Sequence, residues 1–256
     1  MNRINKLFEE NKENILSIYF TAGHPELNSA AELIGVLEKS GVKMVEIGMP
    51  FSDPLADGPV IQKSAQKAIA NGMNLHHLFQ QLKDIRKTIQ IPLLLMGYLN
   101  PVMYYGIEKF CRDCSAVGLD GVILPDLPLE EYENEYKPIF EKYNLKFIFL
   151  ISPQTSDERL RKIDSLSDGF IYMVSSSSTT GAKASISENQ KEYFTRVKAL
   201  NLTNPLVVGF GISNRESFNE VCKYASGAII GSAFVRMLEE QKDWKKGTEE
   251  FVKGIL

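Results

Sequence analysis

Cysteine and histidine are scarce in this chain of 256 residues, which holds three of each. Three cysteines build no secreted disulfide framework. Cys111 and Cys114 form a C-x-x-C, but it falls inside a helical pattern with no second pair. A zinc site needs four ligands, or three and a water, so two thiols packed in a helix is the plain reading. His76 and His77 are adjacent, so on a helix they diverge and cannot chelate one ion together. With only His24 besides, a Ser-His-Asp hydrolase or a histidine metal site is poorly supplied. An excess of charge is also missing. Lys and Arg number 29 against 32 Asp and Glu, a formal net charge of −3 with no basic block. That argues against nucleic acid and anionic membrane as main partners. No apolar run approaches the ~18 residues of a membrane span; the best, from Pro92, is soon interrupted by Gly97 and Pro101. Residues 1–12 are charged and place Ile4, Leu7 and Phe8 at helical spacing, which predicts a short amphipathic helix and not a signal peptide. A cytoplasmic location is the expectation.

What is present is a regular alternation. Strand-like apolar runs stand at Leu16–Phe20, Lys43–Gly48, Pro92–Gly97, Gly121–Leu124, Lys146–Ile151, Gly169–Val174, Leu206–Gly209 and Ala228–Ile230. Helical patterns lie between them: Ala31, Leu33, Ile34 and Leu37; Leu78, Leu82, Ile85 and Ile89; Ile107, Phe110, Cys114 and Val117. Others start near Val60, Glu130, Ser156, Asn189, Asn214 and Ala233. Eight strand–helix units in 256 residues leave about 32 residues each, the size of a βα unit. The expected fold is therefore α/β, a (β/α)8 TIM barrel formed by residues 1–256 as a single domain, with an extra N-terminal helix covering its bottom. A doubly wound open sheet is the rival, but it rarely needs eight evenly spaced units. In such barrels the chemistry sits in the loops that follow the strands.

Three constellations stand at those strand ends. In Met44-Val45-Glu46-Ile47-Gly48, alternation puts Val45 and Ile47 on the helix-facing side and Glu46 toward the barrel mouth. Desolvation there raises a carboxyl pKa toward that of a useful proton donor. The alternative is a structural carboxylate paired with a basic neighbour, although no Lys or Arg of the strands obviously supplies one. The loop Met49–Pro59 is too rich in proline for helix or central strand and longer than usual for its place. It carries Asp53 and Asp57, either of which could cap the following helix; Glu46 and Asp57 could also face one substrate from two sides. Finally, Gly181, Gly209-x-Gly211 and Gly231-Ser232 follow the last three strands. Glycine admits a backbone N–H to an oxyanion, a helix N-terminus adds its dipole, and a phosphate site after strands 7 and 8 is frequent in this fold. Position 214 is Asn, so no dinucleotide fingerprint is present.

The run from Val45 to Pro59, VEIGMPFSDPLADGP, resembles the signature of the tryptophan synthase alpha chain family. The resemblance extends over essentially the whole chain, through Tyr19–Gly23, Tyr98-x-Asn100-Pro101, Leu124–Pro128, Gly209–Ser213 and Ile230–Ala233. It implies a lyase that cleaves indole-3-glycerol phosphate to indole and D-glyceraldehyde 3-phosphate by a retro-aldol reaction. It further implies no cofactor in this chain and a beta-chain partner carrying PLP, in an alpha2beta2 heterotetramer. By resemblance Glu46 is the general acid/base at indole C3, and Asp57 receives the indole N–H. Tyr19, Tyr98, Ile123 and Leu150 fall on the indole pocket, and Tyr172 on a tyrosine near the catalytic glutamate. Gly181, Gly211, Gly231 and Ser232 fall on the phosphate-binding backbone, and Thr180 on a lid contact to Asp57. The sixth loop departs from the family pattern, reading Ser175 to Ser178 before Thr179-Thr180-Gly181. Two other readings stand beside the lyase subunit: a freestanding lyase that releases indole, and a non-catalytic member that binds the phosphate ester and activates a partner. Retention of both Glu46 and Asp57 speaks against the last.

Overall fold

The strands are β1 (Ile15–Thr21), β2 (Met44–Gly48), β3 (Leu93–Met96), β4 (Gly121–Ile123), β5 (Lys146–Phe147), β6 (Leu150–Ile151), β7 (Ile171–Val174), β8 (Leu206–Gly209) and β9 (Gly227–Ile230). The computed structural model describes residues 1–175, 186–209 and 211–256. Every strand pair is parallel, in the order β5-β4-β3-β2-β1-β9-β8-β7-β6. The two ends of that order are one stretch of chain. β5 pairs with β4, Ile148 N–H still donates to the Val122 carbonyl, and then Tyr172 N–H donates to Phe149. The ladder thus passes from one neighbour to the other within residues 146–151 and closes an eight-strand barrel. The single fifth strand expected from sequence is split for this reason: strands in a barrel are tilted and staggered, so a short one meets its two neighbours at different heights.

Two apolar layers follow from strand alternation. Val45, Ile47, Leu93 and Leu95 face the helices, which supply Leu33, Ile34, Leu37 and Phe110. Met44, Leu94, Ile123, Ile148, Phe170, Val207 and Ile229 fill the interior. The helix Arg3–Glu10 closes the bottom, where Ile4, Leu7 and Phe8 join that interior cluster and the Phe8 ring lies 5.7 Å from Phe170. An eight-residue helix is marginal alone. Burial of these three side chains, roughly 1.5–3 kcal/mol each, holds it.

The helices otherwise follow the expected periodicities, with three differences. The pattern Leu78–Ile89 is not one helix: it ends at Leu82 and resumes as a 3-10 turn, Ile85–Lys87. Arg86 explains the break, since its guanidinium donates to the carbonyls of Gly118, Ile89 and Ile91 and to Asp120. The helix near Glu130 widens to a π-turn over Tyr132–Tyr136, just before Pro138, whose missing N–H cannot continue an α-helical ladder. Two further helices, Leu99–Tyr105 after β3 and Trp244–Ile255 at the end, were not signalled by strand-to-strand spacing.

Asp120, 2% exposed, ties the bottom together. Its carboxylate accepts from Arg86 at 2.5 Å, Arg3 at 3.0 Å and the Leu93 N–H at 2.9 Å, so it joins the plug helix, the 3-10 turn and β3. Removing it strands a largely buried guanidinium and an orphan backbone donor. Asp120→Ala is expected to cost about 3 kcal/mol. Urea unfolding measures this, and a midpoint equal to wild type would contradict the anchoring role.

Candidate active site

Glu46 lies in the middle of β2, on the inward parity shared with Met44 and Gly48. It is 0% exposed, and neither carboxylate oxygen finds a hydrogen-bond partner among the described residues. Among the described residues, the structural-carboxylate alternative is therefore not realised. Burial alone pushes its pKa up to about 8. Glu46 is thus predominantly the neutral acid at pH 7.

Asp57 approaches from the loop above. Gly58 caps the helix Pro59–Ala70 through its backbone, so the Asp57 side chain is not spent on capping. Its Oδ2 accepts the Tyr98 hydroxyl at 3.0 Å, and the Asp57 carbonyl takes the Gln62 amide at 2.8 Å. The Tyr98 oxygen in turn accepts the Ala56 N–H at 3.0 Å, and its ring rests on Phe51. Tyr98 therefore staples the loop after β2 to the end of β3. Partial burial raises the Asp57 pKa, and the Tyr98 hydrogen bond opposes the rise. Asp53, the loop's other carboxylate, is exposed and takes the neighbouring Ser52 hydroxyl instead.

Two more phenols share this space. In register Tyr19 stands beside Glu46, and Tyr172 beside Leu150 and Val207. Gly48 and Gly209 end their strands where a Cβ would collide with the hydroxyls of Tyr19 and Tyr172 respectively. Only glycine leaves room for the phenols across the barrel mouth. Sequence reasoning treated Gly48 as a strand end. Its inward parity, shared with Glu46, is the signal that could have marked it as clearance. Burial raises the pKa of Tyr19 and Tyr172, and the nearby Asp57 and Glu46 carboxyls add to the rise. Ile123 and Leu150, with Met96 and Val174, form the apolar wall beside them.

The glycine-bearing loops separate into two kinds. The helix Arg215–Cys222 is capped by its own Asn214 and Ser217 in a reciprocal box. The helix Ser232–Glu240 starts at Gly231 with no side-chain cap, so its first N–H groups are open to a ligand. Gly231 lies against the Tyr19 ring, 3.4 Å from a would-be Cβ, and Gly211 takes φ +78°, the left-handed region that favours glycine. The uncapped helix start thus adjoins Tyr19.

The family model for the tryptophan synthase alpha chain matches residues 4–253. The chain belongs to the tryptophan synthase alpha chain family. A tryptophan synthase alpha chain from Flavobacterium johnsoniae is 57% identical over 255 residues, covering 100% of both chains. That from Bacteroides thetaiotaomicron is 56% identical over 246 residues, 96% of each. Among solved structures, an alpha chain from Legionella pneumophila subsp. pneumophila superposes with a TM-score of 0.88 at 34% identity, over 100% of this chain and 96% of the other. The aminoacrylate-bound tryptophan synthase from M. tuberculosis gives a TM-score of 0.86 at 30% identity, over 100% of both. The family is the lyase subunit of tryptophan synthase, and its members cleave indole-3-glycerol phosphate. Of the positions that the alpha-chain resemblance singled out, Glu46, Asp57, Tyr19, Tyr98, Tyr172, Ile123, Leu150, Gly211, Gly231 and Ser232 are described at the C-terminal end of the barrel or just inside it. Thr180 and Gly181 lie outside the described residues.

Glu46 carries a stability signature. Its folded pKa of about 8 exceeds the unfolded value of 4.5. Between those pH values the folded chain keeps a proton that the unfolded chain has lost, so stability falls as pH rises through this window. Glu46→Gln removes that dependence. The variant is expected to be more stable than wild type at pH 8, by a few kcal/mol in order of magnitude, and close to it at pH 4. Denaturant titrations at the two pH values check this; an equal difference at both would contradict it.

Proposed function

We propose that the chain, acting as one barrel domain, cleaves indole-3-glycerol phosphate with Glu46 as the proton donor and Asp57 as the electrostatic partner. The observation that carries this reading is Glu46 itself: a buried carboxyl with no hydrogen-bond partner among the described residues, neutral at physiological pH, near the same two phenols as Asp57. A proton on Glu46 transfers to indole C3, which leaves Glu46 as carboxylate and the ring as an indoleninium. Asp57 Oδ2 is occupied by Tyr98, so Oδ1 is the oxygen offered to the indole N–H, where positive charge develops. The hydroxyl on the carbon attached to C3 then gives its proton to the Glu46 carboxylate. The C–C bond breaks, its electron pair restores the aromatic indole, and the aldehyde leaves as glyceraldehyde 3-phosphate. Glu46 ends protonated, ready for another turnover. The apolar wall of Ile123 and Leu150 holds the indole. The uncapped helix at Gly231 and Ser232, with Gly211 beside it, holds the phosphate, and this remote anchor positions the reacting carbon. Glu46→Gln, close in shape, is expected to stay folded and lose a factor of roughly a hundred or more in lyase rate, the scale of general acid–base catalysis. An undiminished rate refutes the assignment.

The reading as a subunit, with a PLP-bearing beta chain in a cytoplasmic alpha2beta2 heterotetramer, is favoured over a freestanding lyase by the rim of the barrel mouth. Leu55, Met103 and Tyr104 are 90%, 58% and 95% exposed there. Leu55 sits on the loop that carries Asp57, and Met103 and Tyr104 on the helix Leu99–Tyr105 that follows Tyr98, the residue that joins the two segments. Apolar groups clustered at a mouth suit a protein partner, and burying them would hold the Asp57 loop in its working position. Mixing with a beta chain is expected to raise indole release ten-fold or more, about 1.4 kcal/mol of loop ordering. Full turnover by the chain alone, unchanged on mixing, rejects the subunit reading and leaves the chemistry standing.

A further inference from the structure

The barrel interior holds a second polar group to which the lyase chemistry gives no task. Ser17 lies in β1 between Ile15 and Tyr19, which both face the interior, so strand alternation turns Ser17 inward as well. Its neighbours in register are Met44 on β2 and Ile229 on β9, two members of the interior apolar cluster. The residue is 0% exposed, and its Oγ finds no hydrogen-bond partner among the described residues. Other buried hydroxyls nearby are already spent. Thr21, farther up the same strand, pairs with Ser64 at 2.6 Å, and Ser64 donates to the Ile61 carbonyl at 2.8 Å. A hydroxyl sealed among apolar side chains costs stability unless something uses it.

Glu46 is the group within its reach. Tyr19 stands opposite Glu46 and Ser17 opposite Met44, so Ser17 lies one inward step below Glu46 on the neighbouring strand. Adjacent strands are about 4.8 Å apart and two residues rise about 6.6 Å, which puts the two Cα atoms roughly 8 Å apart. A glutamate side chain, a serine hydroxyl and one hydrogen bond together cover that span. The neutral acid has little need of a donor. The need arises when Glu46 gives its proton away and a carboxylate appears in an apolar interior, where a hydrogen bond to the charge is at its strongest. The phenols of Tyr19 and Tyr172 reach over Gly48 and Gly209 at the mouth, whereas Ser17 offers its proton from below. We propose that Ser17 is a positioning residue for ionised Glu46: its hydroxyl donates to the carboxylate left when the proton passes to the substrate, and so sets how readily Glu46 gives that proton up. The catalytic part of this inference rests on the lyase reading of the site; the hydrogen bond itself is tested without substrate.

The test compares wild type, Ser17→Ala and Ser17→Thr, each alone and combined with Glu46→Gln. Loss of the hydroxyl makes ionised Glu46 less favourable and leaves the neutral acid untouched, so the Glu46 titration is expected to move up by about one pH unit. Denaturant unfolding reads this directly: relative to wild type, Ser17→Ala is expected to lose stability as pH rises from about 7 to about 9, the range in which wild-type Glu46 ionises in the folded chain. The slope is expected to vanish in the Glu46→Gln background, which keeps Asp57, Tyr19 and Tyr172, the other titratable groups of the mouth. Ser17→Thr keeps the hydroxyl and is expected to show no slope. In the lyase assay, Ser17→Ala is expected to lower kcat about three-fold at neutral pH, because a weaker acid protonates indole more slowly, and to carry the alkaline limb of the profile up with the titration. A flat stability difference for Ser17→Ala, a slope that survives Glu46→Gln, or the same slope in Ser17→Thr overturns the proposal, whatever the chain catalyses. Unfolding data as expected with no cleavage of indole-3-glycerol phosphate by wild type uphold the hydrogen bond and overturn the lyase reading instead.

Discussion

One buried carboxyl group, with no hydrogen-bond partner among the described residues of a parallel barrel, sets the terms for the rest of the molecule. Burying an ionised Glu46 among Met44, Leu94 and Tyr172 would be prohibitive, so the group keeps its proton instead. The interior must then be made dry and rigid by other means. The plug helix seals the bottom with Ile4, Leu7 and Phe8, and Asp120 ties that plug to the strands. The chemistry at the top depends on a seal at the bottom because an open barrel would hydrate Glu46 and return its pKa toward that of an ordinary carboxylate.

Around that group the polar side chains are arranged by proton direction. Tyr98 gives its proton to Asp57 and takes one from a backbone N–H, which fixes a loop in place. Behind the mouth Ser64 gives its proton to the Ile61 carbonyl and so takes that of Thr21.

Glycine placement supports the arrangement in two ways. Gly48 and Gly209 remove the Cβ atoms that would exclude the phenols of Tyr19 and Tyr172. Gly231 leaves a helix start free of side-chain capping, in contrast to the self-capped helix at Asn214. A helix end that satisfies its own N–H groups is unavailable to an anion, so the choice of cap residue separates a closed helix start from an open one.

Much was legible in the linear pattern because its causes are local. Strand alternation placed Glu46 inward and Val45 outward, the even βα spacing implied a barrel, and helical spacing of Ile4, Leu7 and Phe8 predicted the plug. Residue order also determined which groups stand at strand ends, and hence the carboxyl pair and the glycine loops. What the tertiary structure decided are matters of who meets whom across long separations. The split of the fifth strand depends on barrel stagger, which no single segment encodes. The break after Leu82 depends on Arg86 reaching Gly118 and Asp120. The Tyr98 staple and the Thr21–Ser64 pair join residues that lie tens of positions apart. A sequence names the donors and acceptors; their pairing, and so the direction of each proton, exists only once the barrel has closed around them.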